Sequence, residues 1–198
     1  GWIATNWLED LIISEYGLEI YDNWSNQNIL SSESEIQNSI KSIGKLLFIE
    51  NAVFGTNKRV VRKEFRNNYK NLLSAETDCV FSWGGHYAEF YMPDNKTFGQ
   101  DYDFFKFPSR VNKTSIVGIG DILTVLNYSN ETEVVFNALI NENFGEKWMN
   151  EADASYIPAN KLNKNLIINP LTQREAEIIT AALLENSFRY DASELMER

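Results

Sequence analysis

The sequence predicts an α/β chain, mostly helical with a few short strands. Three observations carry that expectation. Apolar residues recur at helical spacing through most of the first half. Short aromatic or β-branched runs in the middle stop at Gly84-Gly85, at Pro108 and around Gly118 and Gly120. Helical spacing then resumes from about Ser129 and continues to the end, with no internal repeat and no low-complexity linker.

From Thr5 the residues Trp7, Leu8, Leu11 and Ile12 follow a helical period. Thr5 or Asn6 is expected to accept bonds from the free amides of the first turn, and Gly17 to close the helix in a left-handed conformation. A short amphipathic piece around Ile20, Tyr21 and Trp24 comes next. Ser32 followed by Glu35 has the spacing of a capping box and predicts a longer helix carrying Ile36, Ile40, Ile43, Leu46 and Leu47 on one face. A further helix is expected from about Asn57 to Leu73, with Val60, Val61, Phe65, Tyr69, Leu72 and Leu73 as its stripe.

CVFSW, ending at the glycine pair, reads as a strand that stops where the backbone turns or approaches something closely. HYAEFYM reads as a short helical piece. YDFFKFP is aromatic, extended and ended by Pro108, as a buried strand would be, and SIVGIGDILTVLNYS is a second strand-like stretch interrupted by two glycines. The next helix begins at Ser129 or Asn130 and carries Val134, Val135, Ala138 and Leu139; a shorter one bears Trp148. Pro170 opens the last long helix, whose apolar face is Ala176, Ile179, Ala182 and Leu183.

With 198 residues, the chain is long enough to bury a core, as one large domain or two modest ones. Its 18 basic against 28 acidic residues give a formal charge of −10, which argues against a nucleic-acid partner because phosphate binding needs clustered cations. The one basic run, Lys58 to Lys70, alternates with apolar positions and reads as the solvated face of a helix. A single cysteine, Cys79, excludes an internal disulfide framework. No apolar run approaches the ~20 residues of a membrane span, so no direct membrane span is expected, and the first residues lack a signal-peptide pattern. The first residue is not Met, and a processed product or a fragment is the expectation.

Enzyme chemistry finds few candidates. His86 is the single histidine, and Cys79 lies seven positions away across a predicted strand and turn, so nothing in the spacing forms a dyad. One His and one Cys do not make a zinc site, and GIGD lacks both the third glycine of a dinucleotide fingerprint and the lysine of a P-loop, so no cofactor is expected. Asp101 and Asp103, two apart in an extended run, would share a face as a glycosidase pair does, but a strand entrance is commonly solvated. The aromatics are more suggestive. Trp2, Trp7, Trp83, Tyr87 and Tyr156 sit beside glycines or at predicted strand ends. Flat rings match the C–H faces of sugars while Asn, Asp and Arg match their hydroxyls; the competing reading of each ring is core.

Five stretches taken in order, GWIATNWLEDLIISEYGLEIYD, FGQDYDFFKFP, GIGDILTVLN, IPANK and PLTQREAEIITAALLENSFRYDASELM, resemble segments of extracytoplasmic sugar-binding proteins of ABC transporters. The branch is the solute-binding family associated with α-glucosides, and the first and last stretches are the most specific. The resemblance implies a periplasmic-binding-protein-like type II fold, two α/β lobes joined by crossing strands and closing on a sugar without chemistry. It implies a carbohydrate ligand, the membrane permease subunits of an ABC importer as partners, and a periplasmic or extracytoplasmic location, with a lipid anchor as an option. It also implies a partial chain. Residues 1–115 would form the second lobe, residues 116–165 would cross to an otherwise missing first lobe, and residues 166–198 would return and begin the closing segment.

Carried over residue by residue, Trp2, Asn6 and Trp7 match a GW-ATDW pattern at the cleft lip, with Asn6 where the family usually has Asp. That exchange removes a charged acceptor for a sugar hydroxyl and leaves a neutral donor and acceptor. Trp2, ahead of the expected helix, is the better ligand candidate; Trp7 is as well suited to packing under that helix. Asp121 matches the acid of a GGD-like turn, and in an otherwise apolar stretch it calls for a polar partner. Trp83 and His86 stand where relatives tend to carry other residues after the cysteine, and offer a stacking face instead. Arg189 and Asp191, in FRYD, match positions near the cleft and equally suit a structural clamp. Asn160, in IPANK, suits a turn cap. Two further functions remain open: a glycoside hydrolase-like enzyme using Asp101 or Asp121, and a protein-interaction module presenting exposed aromatics.

Overall fold

Helix-forming residues run without a break from Trp2, and the first helix, α1, accordingly spans Trp2–Tyr16. This corrects the expected cap: Thr5 and Asn6 lie inside the helix, where their own amides belong to its ladder. Gly17 accepts the turn out of α1 with φ 84° and ψ −179°, a positive-φ extended conformation rather than the left-handed helical one, and α2 follows at once as Leu18–Ser25. The structure, a computed structural model, describes residues 2–54, 60, 62–74, 80–111, 115–150, 156–159 and 166–196. Cys79, Asn160 and most of the first turns of the helix expected from Asn57 lie outside them.

The described chain divides into two compact units, residues 1–119 with 182–198, and residues 120–181. In the first, α3 (Ser34–Phe48) packs with α2 against α1. Ile12 and Ile13 of α1, Tyr21 and Trp24 of α2 and Ile36 of α3 form its core together with Ala192, and Leu8, Leu18 and Ile20 pack at the margin. Each fully buried isoleucine contributes about 1.5–3 kcal/mol. The Tyr21 and Trp24 rings meet edge to face at 6.1 Å. The capping box is not formed. Ser32 is two residues ahead of the first helical residue, the cap position is Glu33 without a side-chain bond, and the Gln37 amide instead donates to the Ser31 carbonyl at 2.7 Å. Downstream, Phe65–Asn67 form a 3-10 turn leading into the short α4 (Asn68–Leu72), and His86–Tyr91 form another.

Two strands are present, β1 (Ile116–Gly118) and β2 (Phe188–Tyr190), paired in parallel with Ile116 opposite Phe188. α8 (Ala192–Leu195) follows β2, its first turn capped by the Asp191 carboxylate, which accepts from the Ser193 amide. Strands expected elsewhere are not found. Val80–Trp83 are extended without pairing, the 102–108 run contributes only an isolated bridge between Phe98 and Tyr102, and the glycine-interrupted stretch is a strand for three residues only. The reason is shared: a strand needs a neighbour for its amides and carbonyls, and among the described residues these runs meet none in register. Phe81 and Phe105 contact each other through their rings instead, 6.0 Å apart.

The second unit is helical. Ser129 caps α5 (Asn130–Leu139) by accepting from the Thr132 amide at 3.2 Å, as its position before the apolar period predicts. α6 is Glu146–Met149, and α7 is Pro170–Leu184, opened by the proline as expected. Asn169 accepts from the amides of Leu171 and Thr172. Met149, Ile167 and Ala176 make this unit's core, with Tyr156, Ile157 and Leu166 around it. On α7, Ala176 and Ala182 are buried as expected, while Leu183 is exposed. No helix among the described residues is long and apolar enough to cross a membrane.

Candidate functional site

Residues four apart on a helix share a face, and α1 places Asn6 and Asp10 in that relation, both half-buried. The Trp83 indole N–H donates to Asp10 Oδ2 at 2.7 Å, which brings the glycine-pair segment onto α1. Burial pushes the Asp10 carboxyl up to about 6, with the indole bond pulling the other way. Beyond Trp83 stands a cluster of rings. Phe65 meets Tyr87 edge-on at 5.7 Å and Tyr91 at 5.6 Å, while Tyr69 stacks nearly parallel to Tyr91 at 6.3 Å. Burial raises the phenols of Tyr69 and Tyr87, so both remain protonated donors.

Gly84 is what lets this wall close. A Cβ there would lie 2.7 Å from the hydroxyl of the buried Tyr69, so that ring would have to shift. The arrangement therefore joins an acid, an amide, an indole and several phenols within one compact unit. Such a set offers hydrogen-bond acceptors and donors beside flat apolar faces, and it holds no nucleophile with an activating base.

Several of the candidates read from the sequence meet here and others do not. Trp83 meets Asp10 here, and Asn6 lies one helical turn before Asp10. Trp7, half-buried, lies on the same helix, and the side chain of Trp2 lies outside the described set. His86 opens the second 3-10 turn, its ring edge-on to Phe90 at 6.3 Å. The Arg189 guanidinium forks onto Asp22, Nε to Oδ1 and Nη2 to Oδ2, while Asp191, the partner suggested by the FRYD stretch, caps α8 instead. Asp121 is in the second unit and is exposed rather than buried in an apolar strand. Asp10 was not singled out in the sequence. The signal for it was its four-residue spacing from Asn6, obscured by the adjacent Glu9 that makes the pair look like an ordinary acidic turn.

Of the two carboxylates named for the hydrolase alternative, Asp121 is exposed and Asp101 is engaged by neighbours. Asp101 accepts from the Thr97 amide and from Lys96 Nζ, both at 2.9 Å, and these bonds hold its carboxyl below the usual range. Asp103 accepts from the Phe104 amide. A glycosidase acid needs the opposite shift. A groove of about 370 Å³ at the far end of α1 is lined by Glu15, Lys41, Lys45 and Arg110 among others, a charged setting without the stacked rings of the first corner. Among the described residues no group of three His, Cys, Asp or Glu side chains is placed to hold a metal ion.

The resemblance read from the sequence extends along the whole chain. Over 201 residues, 99% of this chain, it is 26% identical to the alpha-glucosides-binding periplasmic protein AglE of Rhizobium meliloti, covering 43% of that protein. Over 199 residues, again 99% of the chain, it is 24% identical to the osmoprotective compounds-binding protein GgtB of Synechocystis sp., covering 46% of it. The chain thus spans a little under half the length of the curated relatives it matches. No family model and no solved structure matches it.

Proposed function

We propose that this chain is part of a solute-binding protein of an ABC importer, and that it supplies one side of a carbohydrate site through Asn6, Asp10 and Trp83. Two relatives named as binding proteins, aligned over nearly the full chain, support the general role. The observation that carries the ligand class is the Asp10–Trp83 bond: a half-buried acid, without an ion-pair partner among the described residues, fixed by an indole beside a wall of phenols. Asp10 and Asn6 take sugar hydroxyls, and the rings of Trp83 and Tyr87 take C–H faces. The α-glucosides of one relative's name favour a glucose-containing oligosaccharide over a charged solute.

In such a protein the ligand acts by touching two lobes at once, since only differential contact shifts an open form to a closed one. Permease subunits then read the closed form outside the membrane, and Trp7, His86, Asp121 and Arg189 remain proposed contributors on this reading. Calorimetry with maltose, trehalose and glycine betaine, on the longer protein that contains this chain, tests the proposal. Sugar affinity that falls about tenfold to a hundredfold in Asp10→Asn and in Trp83→Ala is the expected result. Binding of glycine betaine alone, or sugar affinity untouched by both substitutions, would overturn the carbohydrate reading.

A further inference from the structure

Glu9 is the most deeply buried acid among the described residues, with no exposure at all, and it faces the C-terminal segment rather than the Asp10 corner. Its Oε2 accepts from the Ala192 amide at 2.9 Å and lies 2.7 Å from the Tyr21 hydroxyl. The same hydroxyl lies 2.7 Å from the Tyr190 carbonyl oxygen. Oε1 of Glu9 is buried with no partner among the described residues.

A proton count decides what these distances mean. A phenol carries one proton, and two oxygens stand at hydrogen-bonding distance from it. The Tyr190 carbonyl accepts and never donates, so the Tyr21 proton belongs on that contact. The contact between Tyr21 and Glu9 then needs a second proton, and only Glu9 can supply it. The orphaned Oε1 fits the same assignment, because an unpartnered oxygen of a neutral carboxylic acid costs far less to bury than one sharing a full charge.

We infer that Glu9 is held as the neutral acid in a relay, Glu9 Oε2–H to Tyr21 and Tyr21 O–H to the Tyr190 carbonyl, and that this relay is a pH-sensitive latch fastening α1 and α2 to β2 and α8. The relay joins residues 9 and 21 to residues 190 and 192, so it closes the first compact unit across nearly the whole sequence.

The groups facing Glu9 act in both directions, and burial prevails. Burial is the largest influence and raises its carboxyl to about 7; the Ala192 amide and Tyr21 oppose it, and the negative charges of Asp191 and Asp10 add to it. The Tyr21 phenol is raised by burial and by Glu9, so it keeps its proton throughout. The Arg189 guanidinium, one residue before Tyr190, is committed to Asp22. A carboxyl whose folded value lies above its ordinary 4.5 binds more protons folded than unfolded in the window up to about 7. The latch is therefore closed at acidic pH and weakens as pH rises from about 4.5 through about 7, when one phenol proton is left to serve two acceptors.

The test uses the full chain labelled with ¹³C at the glutamate side chains, with each carboxyl assigned through bonds. One carboxyl, that of Glu9, is expected to titrate near 7. If Glu9 titrates near its ordinary value of 4.5, the latch does not exist. Thermal melts give a second readout. The wild-type melting temperature should fall between pH 5 and pH 8, and Glu9→Gln should flatten that slope. The amide cannot both donate to Tyr21 and accept from Ala192 at one atom, so its absolute stability at acidic pH is lower and only the slope is diagnostic. An undiminished slope in Glu9→Gln overturns the proposal; if that variant does not fold, the wild-type titration decides alone.

Discussion

Asp10 shows how a single side chain takes its character from its surroundings. Its carboxyl, pushed up to about 6 by burial, favours the protonated form more in the folded chain than in the unfolded one. The sign follows directly. Folding stability from this group is highest at low pH and declines as pH rises from about 3.8 through about 6. Asp10→Asn should remove that decline, with a gain at pH 7 on the order of 1–2 kcal/mol after solvent screening is allowed for, measured by urea unfolding at pH 4 and pH 7. Arg189 makes the opposite kind of contribution. Its two-pronged bond to Asp22 ties β2 to α2, and Arg189→Lys, which loses the fork but keeps the charge, should cost about 1 kcal/mol in the same measurement. Neither value was legible in the sequence: Asp10 needs Trp83, 73 positions away, and Arg189 needs Asp22, 167 positions away.

Helix types and several boundaries were legible, because helices are made of local bonds. Ser129, Pro170 and the stripes of α1, α3 and α7 all carry their information within a few residues. Where the reading failed, a non-local or subtle term intervened. The first helix starts ahead of its supposed cap residues, and Ser32 stands too far from α3 to cap it. Strands failed more broadly, since their hydrogen bonds come from elsewhere in the chain. Gly17 marks the joint between α1 and α2, where φ 84° with ψ −179° is a region that residues with a Cβ enter only under strain. Gly17→Ala has open space around its new methyl, so its expected loss of about 1–3 kcal/mol is purely conformational, and a chemical denaturation midpoint reads it. Gly84→Ala differs in kind. Its methyl meets the Tyr69 ring, so it should weaken sugar binding in the longer protein by disturbing the wall beside Trp83, as calorimetry would register.

At the scale of the molecule, the surface carries more bare apolar side chains than a finished chain keeps. Leu126 is 94% exposed and Leu184 84%, with Ile119, Ile122 and Leu123 nearby in sequence to Leu126. Residues 119–126 belong to no helix or strand, and the relatives are more than twice as long as the aligned stretch. The expected outcome is that a hydrophobic dye fluoresces strongly with this chain and weakly with a longer protein carrying it, and that maltose binds the longer form more tightly; equal dye binding by the two would contradict the idea that further sequence covers these residues. The sequence by itself determined the helical character, the resemblance to sugar-binding proteins and the kinds of side chain on offer, because composition, period and motif are local properties. Only the tertiary structure decided that Asp10 and Trp83 meet, that Glu9 and Tyr21 must share protons with the C-terminal segment, and which aromatic runs find a pairing partner. Those outcomes depend on distances between residues far apart along the chain, and they are set when the apolar faces of α1, α2 and α3 close on one another.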